Sequence, residues 1–312
     1  MQNKNAENLI IVQNPNSTRA DKIDEKVFAP LERHGIPYEV YHTESADTEQ
    51  NIADMQEQIP ADATVMIAAG DGTAMQAVNA SLRSDKNWTL GFVPLGNFND
   101  NAHSHAKRHH SVVDLLNAPE VNTHPLTIDV DGEYWRHAPA YMTIGWTALA
   151  ASQFGDAESR KAMKDTPAAL KLAKSLGQLA GNYIQNRRIL LPSFTANGIY
   201  QDEATDILAI NSPYVGGIVR SQDNYFDKSY FGSRADINVG RILPNVPFGL
   251  KAITGHAPSD RVEEMHLVFD EVAHLPVQTE GEFQWLDAKE IFVYKNPTDI
   301  IRVLHPKGIA RR

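Results

Sequence analysis

The stretch "MIAAGDGTAMQAVNA", residues 66–80, decides how the rest of the chain is read. The apolar run at 63–70 has the length and content of a buried strand, and 73–82 reads as a helix. Between them stands Gly70-Asp71-Gly72-Thr73. A phosphate placed there meets backbone N–H groups and the positive end of a helix dipole. Glycine lets backbone approach within contact distance and permits positive φ. Thr73 is placed to cap the helix or to bond a phosphate oxygen. Asp71 is the unexpected member: a carboxylate beside phosphate repels it unless it holds Mg²⁺ or takes a proton from a nucleophile. An Asp-Gly turn with a Thr cap explains the four residues equally well when they are taken alone.

The neighbouring segments repeat the pattern. "NLIIVQ" (8–13), "PYEVYHT" (37–43) and "TLGFVPLG" (89–96) read as strands. Residues 21–35 carry helical spacing at Ile23, Val27 and Leu31 and end at Gly35, and 47–59 reads as an exposed helix. The order βαβαβαβ predicts an α/β domain with a mostly parallel sheet and helices on both faces. From residue 126 the pattern changes. Leu126, Ile128 and Val130 alternate before Asp131-Gly132, which predicts a hairpin. Short strand-like runs then recur: "RILLPSF", "DILAINS", "MHLVFDEV" and "EIFVY". This half is expected to be a mainly antiparallel β-sandwich, interrupted by a helical insertion at 155–188. There Thr166 serves as N-cap, Pro167 opens the helix, and Leu172, Leu176, Leu179 and Tyr183 share a face. The expected division is 1–125 with the tail 297–312 against 126–296. A ligand is expected outside the carboxyl ends of the parallel strands or in a cleft between the modules.

Two more loops resemble the first in character. "QNPNST" (13–18) follows the first strand and "VPLGNFNDNA" (93–102) the fourth. Three polar, Gly/Asn/Asp-rich loops at one edge of one sheet make a single site. The chain resembles the diacylglycerol kinase catalytic family, ATP-dependent lipid kinases that include sphingosine kinases and bacterial soluble lipid kinases. "IIVQNPNST" is similar to the family's opening strand and Asn-Pro-x-Ser loop, "AAGDGTAMQAVN" to its nucleotide loop, and "GFVPLGNFNDNA" to its Pro-Leu-Gly-Thr-x-Asn-Asp segment. "AINSPYVGG" (209–217) resembles its Asn-x-x-x-x-Gly-Gly turn, "LPVQTEGE" (275–282) its Asp-Gly-Glu hairpin, and "PTDIIRVLHPKG" its tail. Gly-Asp-Gly-Thr alone is shared with NAD kinases.

The resemblance implies an NAD kinase/diacylglycerol kinase-like fold. ATP and Mg²⁺ are the implied cofactors, and a lipid or other hydroxyl-bearing small molecule is the acceptor. Asn14, Ser17 and Thr18 would border the nucleotide, and Gly70, Asp71, Gly72 and Thr73 would cradle phosphate. Gly96, Asn97, Asn99 and Asp100 would complete the site. Asp71 and Asp100 are the implied metal carboxylates. Glu280 stands at the hairpin Asp and is the implied base, with Glu282 its partner or a second metal contact. This chain departs from the family pattern at Ala69, Gln76, Asn97, Phe98 and Glu280, and Arg234-Ala235 replace the Asp-Asp of a late metal loop. An NAD kinase and a nucleotide-binding regulator without catalysis stay open as alternatives.

Bulk properties narrow the partners. A net charge of −10 over 312 residues argues against nucleic acid. The absence of cysteine excludes disulfides and thiolate metal sites. The N-terminal apolar run is too short for a signal peptide, and no segment has the roughly 20 apolar residues of a membrane span. A cytoplasmic protein is expected; Arg160, Lys161, Lys164, Lys171, Lys174, Arg187 and Arg188 in the insertion fit either the solvated face of a helix packed on the β module or a transient contact with the inner membrane face. "HSHAKRHH" (103–110) spaces His105 and His109 for a transition metal, but an exposed helix is the better reading. Whether the chain is a monomer or a homodimer is not fixed by its sequence.

Overall fold

The computed structural model describes residues 7–44, 47–84, 86–105, 110–152, 191–202, 204–215, 219–220, 230–237 and 260–306. The expected helical insertion at 155–188 with its basic residues, His109, Gly216 and Gly217 lie outside them. The chain divides into two compact units, 1–125 with 297–312, and 126–296.

Unit 1 is α/β. Its strands are β1 (Leu9–Gln13), β2 (Glu39–His42), β3 (Thr64–Ala69), β4 (Thr89–Pro94) and β5 (Glu120–Thr123), with a closing strand Ile301–Leu304. Among the described residues they form one sheet in the order β2-β1-β3-β4-closing strand-β5. Every pairing is parallel except that of the closing strand with β5. Successive side chains go to opposite faces. Leu9 and Ile11 therefore pack with Ile23, Val27 and Leu31 on one side. Ile10 and Val12 pack with Ile52, Met55, Ala77 and Val78 on the other. With both faces covered, β3 is buried throughout and reads as an unbroken apolar run.

Local chemistry modifies the expected helices. The segment 20–33 is not one regular helix: a tight turn at Ala20–Lys22 precedes α1 (Ala29–Arg33). Between them the N–H of Ala29 bonds back five residues to the Asp24 carbonyl. Pro30 accounts for the shift, because it has no N–H and its ring crowds the carbonyl four residues earlier. Gly35 ends the segment with φ +63°, as a C′ glycine does. Helix α2 (Thr48–Gln58) starts where Asp47 accepts N–H bonds from Glu49 and Gln50. It is not exposed all round, since it buries Asn51, Ile52 and Met55. Helix α3 runs Asp71–Leu82, α4 Asp100–His105 and α5 Val112–Leu116.

The exposed helix expected at 103–110 is also corrected. In α4, Asn101, Ala102, Ser104 and His105 are buried. His105 stacks on Phe92 and meets the His305 ring edge-on. Burial pushes its pKa down to about 3, and His305 is lowered for the same reason. A folded-state pKa below the unfolded one means that the unfolded chain binds the extra proton, so stability falls as pH drops from about 6.5 towards about 3. At pH 5 the loss from His105 is about 2 kcal/mol. Urea titrations of His105→Phe are expected to show a flatter dependence on pH between 6.5 and 4 than the parent protein.

Unit 2 is antiparallel, with β6 (Leu126–Val130), β7 (Glu133–Ala138), β8 (Tyr141–Gly145), β9 (Phe194–Ala196), β10 (Ile199–Gln201), β11 (Ala204–Ile210), β12 (Tyr214–Val215), β13 (Val219–Arg220), β14 (Phe231–Ile237), β15 (Asp260–Val262), β16 (Glu264–Thr279) and β17 (Glu282–Tyr294). Among the described residues the main sheet has the order β15-β14-β11-β8-β16-β17-β6-β7, with β9 beside β16 and β10 beside β9. The expected hairpin at Asp131-Gly132 forms, both residues having positive φ. "MHLVFDEV" and "LPVQTEGE" belong largely to one 16-residue strand, β16. The register slips between Val268 and Ala273 and leaves Val272 exposed, which breaks the alternation in the sequence. "RILLPSF" supplies a strand only from Phe194 onward among the described residues.

Candidate active site

The parallel strands of unit 1 deliver their loops to one edge, and backbone bonds lock those loops together. The Arg19 N–H donates to Leu95 O and the Leu95 N–H to Ala69 O, at 3.0 and 3.2 Å. Asn14 Nδ2 donates to Thr73 Oγ1 at 3.2 Å, while its Oδ1 accepts the Asn16 N–H at 2.8 Å. The Ser17 N–H closes the turn onto Asn14 O, and Thr18 lies partly buried beside it. The loops after β1, β3 and β4 thus form one constellation, with Asn14, Ser17, Thr18, Gly70, Asp71, Gly72, Thr73 and Gly96 to Asp100 all at this edge.

Helix α3 begins one turn earlier than Thr73 suggests. Gly70 is its N-cap without a side-chain bond, and Asp71 and Gly72 are already helical. Thr73 is therefore not the cap; it is buried in the first turn and accepts from Asn14. The first N–H groups of an α-helix have no partner within it and present an anion site. Gly70 has φ −95°, so its glycine is not needed for positive φ. It is needed for space: a Cβ on Gly96 would stand 2.5 Å from Gly70 Cα. Backbone packs on backbone there, and nothing flexible can give way. Gly96→Ala is expected to cost about 1–3 kcal/mol in urea unfolding, more than Gly70→Ala, whose Cβ would meet Gly96 Cα at 3.3 Å.

Two predicted ligand contacts have internal partners. Asn99, in the left-handed region at φ +58°, braces its own loop: Oδ1 accepts the Gly96 N–H and Nδ2 donates to Gly96 O. Asp71 Oδ1 accepts the N–H of Asn101 at 3.0 Å and its Nδ2 at 3.3 Å. The N–H groups of Asp100 and Asn99 also face this carboxyl. Asp71 joins the Gly-Asp-Gly-Thr loop to the start of α4. Burial pushes its pKa up, opposed by those donors. Asp100 is fully buried as the first residue of α4. The donor set suits Mg²⁺: Asp71 and Asp100 offer hard carboxylate oxygens, and Asn97 Oδ1 is buried with no partner among the described residues. No three His, Asp or Glu side chains cluster for a metal among the described residues. Mg²⁺ asks for only one or two carboxylates beside phosphate oxygens and water.

Sequence reasoning missed two residues of this edge. Asn101 sits inside the quoted "NFNDNA" and is the direct partner of Asp71. Thr43 follows β2; its N–H donates to Gln13 O, and its buried hydroxyl has no partner among the described residues. A threonine directly after the strand-like run "PYEVYH" was the available signal. Gln76 donates Nε2 to Thr48 Oγ1 at 3.4 Å.

In unit 2, Glu280 and Gly281 form the tight turn between β16 and β17, with φ +53° and +88°. The other non-glycine residues at positive φ among the described residues are all Asn or Asp. A Glu in this conformation costs about 1–2 kcal/mol. Its side chain offsets that cost: Oε1 accepts the N–H of Ala140 and, at 2.8 Å, that of Tyr141. Glu280 is only 1% exposed. Around it, Arg136 donates to Thr279 Oγ1 and Gln284 Oε1, and Thr143 donates to Gln278 Oε1. Glu282 lies across the turn, paired with Thr279. The residues of the late loop, 228–239, are partly outside the described structure; Arg234 and Ala235 lie in β14.

Unit 1 is a mostly parallel sheet whose loops gather around a Gly-Asp-Gly-Thr helix start, and unit 2 is antiparallel. Residues 8–129 match the diacylglycerol kinase catalytic domain, which places the likeness in unit 1 and the start of unit 2. In fold the chain is similar to a diacylglycerol kinase from Bacillus anthracis str. Sterne, with a TM-score of 0.65 and 12% identity over 97% of this chain and 98% of that one. Two candidate diacylglycerol kinases from the same organism match with TM-scores of 0.65. Their identities are 15% and 16%, over 96% of this chain and 97% and 98% of theirs. Comparison with curated proteins returned no match. No helix among the described residues is long and apolar enough to cross a membrane.

Proposed function

We propose that the protein is an ATP- and Mg²⁺-dependent kinase that transfers the γ-phosphoryl group to a hydroxyl of a lipid such as diacylglycerol. The observation that carries this reading is the interlocked edge of unit 1. Within the segment that matches the diacylglycerol kinase catalytic domain, the start of α3 is held against the loop after β4 by the Gly70–Gly96 contact and the Asp71–Asn101 bonds. Phosphoryl transfer is mostly positioning and neutralisation of charge, and this edge supplies both. Asp71 and Asp100 would hold Mg²⁺, which neutralises phosphate charge when bound. Asn14, Ser17, Thr18 and the amides of residues 70–73 would receive the phosphates. Glu280 would take the proton of the acceptor hydroxyl as its oxygen bonds to the γ-phosphorus and the bridge to the β-phosphate breaks.

The test is radiolabelled ATP incubated with the protein, Mg²⁺ and a panel of extracted lipids. Label is expected in the lipid fraction. Label transferred to NAD instead would make the protein an NAD kinase. ATP bound in calorimetry with no acceptor labelled would make it a nucleotide-binding regulator.

A further inference from the structure

We propose that Asn211 is the positioning residue that aims and charges Glu280; this rests on the reading of Glu280 as the proton acceptor. Asn211 directly follows β11, is 3% exposed, and makes two bonds to the turn between β7 and β8. Its N–H donates to Ala140 O at 2.7 Å, and its Nδ2 donates to Pro139 O at 2.8 Å. Those carbonyls belong to particular peptide groups. Pro139 C=O and Ala140 N–H are the two ends of one peptide, and Ala140 C=O and Tyr141 N–H are the two ends of the next. Both of these N–H groups donate to Glu280 Oε1.

Asn211 therefore holds, from the carbonyl end, each peptide that holds Glu280 from the amide end. A donor on a C=O polarises the N–H of the same peptide, so the bonds in such a chain reinforce one another. Strand register fixes the parts: Ile210 pairs with Tyr141, and Thr279 with Met142. The side chain of Asn211 thus does two things to Glu280. It sets the plane of the peptide from which the carboxylate hangs, and it strengthens a donor that favours the ionised form. A residue of the same size without an NH₂ group would do neither. Asn211 heads the Asn-x-x-x-x-Gly-Gly stretch at 211–217, and this position gives that Asn a task.

The experiment uses the full chain carrying ¹³C-labelled glutamate carboxyls. The resonance that disappears in Glu280→Gln is that of Glu280, and its titration is followed in the parent, Asn211→Ala and Asn211→Ser. In Asn211→Ala the midpoint is expected to move up by about half to one pH unit. Lipid phosphorylation should fall about tenfold in kcat, with KM for ATP within about twofold. Asn211→Ser keeps a shorter donor, is the second variant should the alanine protein not fold, and should move the midpoint less. An unmoved Glu280 midpoint in whichever variant folds overturns the proposal, as does a loss that appears only in KM for ATP. Full activity in Glu280→Gln would instead overturn the reading of Glu280 as base. The two failures are therefore distinguishable.

Discussion

Changing Asp71 to Asn is expected to lower lipid phosphorylation by about 10²–10³-fold, the usual loss when one preorganised charge is removed from a reacting centre. The fold should survive. The Asn side chain keeps a carbonyl oxygen where Asp71 Oδ1 accepts the Asn101 N–H at 3.0 Å, so the junction between the Gly-Asp-Gly-Thr loop and α4 stays closed. A neutral acceptor is weaker than a charged one by about 1 kcal/mol, but the change also removes a charge that burial disfavours. Unfolding in urea should move by no more than about 1 kcal/mol. Asp71→Ala is the contrasting variant. It strands the N–H groups of Asn99, Asp100 and Asn101 and should cost about 1–3 kcal/mol in addition to the lost activity. The same burial has a pH consequence. The Asp71 carboxyl is charged only above a raised pKa, so activity that needs its charge should fail on acidification at a higher pH than an ordinary carboxylate gives. Full turnover in Asp71→Asn would remove the nucleotide loop from the chemistry.

What the sequence made legible follows from how local each signal is. The parallel sheet could be read because β1, β3 and β4 are buried on both faces and end in turn residues, so apolar runs and punctuation coincide. Gly35 and Asp131-Gly132 were readable for the same reason, because positive φ selects its residues. The loops at the sheet edge were recognisable as a group, but not the bonds among them. Nothing in the spelling of Asn99 says that its amide is turned onto Gly96, or that Asp71 reaches thirty positions along the chain to Asn101. Those are consequences of two strands lying side by side. His105 was misread as a surface residue because a run of histidines with Lys107 and Arg108 looks solvated. In α4 the His105 ring instead faces inward and stacks on Phe92. The long strand β16 was divided in reading because its irregularity near Asp270 interrupts the period of two.

Glu280→Gln separates chemistry from architecture more sharply than any other change. Gln has the length and shape of Glu and retains an Oε1 that accepts the N–H groups of Ala140 and Tyr141, so the turn at 280–281 should persist. It cannot take a proton from a hydroxyl. Phosphorylation of the lipid is therefore expected to fall by about 10²–10⁴-fold, the range for loss of a general base. ATP affinity by calorimetry should stay within about twofold, because the loops proposed to hold ATP belong to unit 1. Backbone conformation sharpens the expectation. Glu is poorly suited to φ +53°, and a turn chosen for stability alone would carry Asn or Gly there. A strained residue that persists points to a use for its side chain beyond the turn. If Glu280→Gln phosphorylates lipid as fast as the parent, that use is only the bracing of the turn, and the base must be sought among other groups of unit 2.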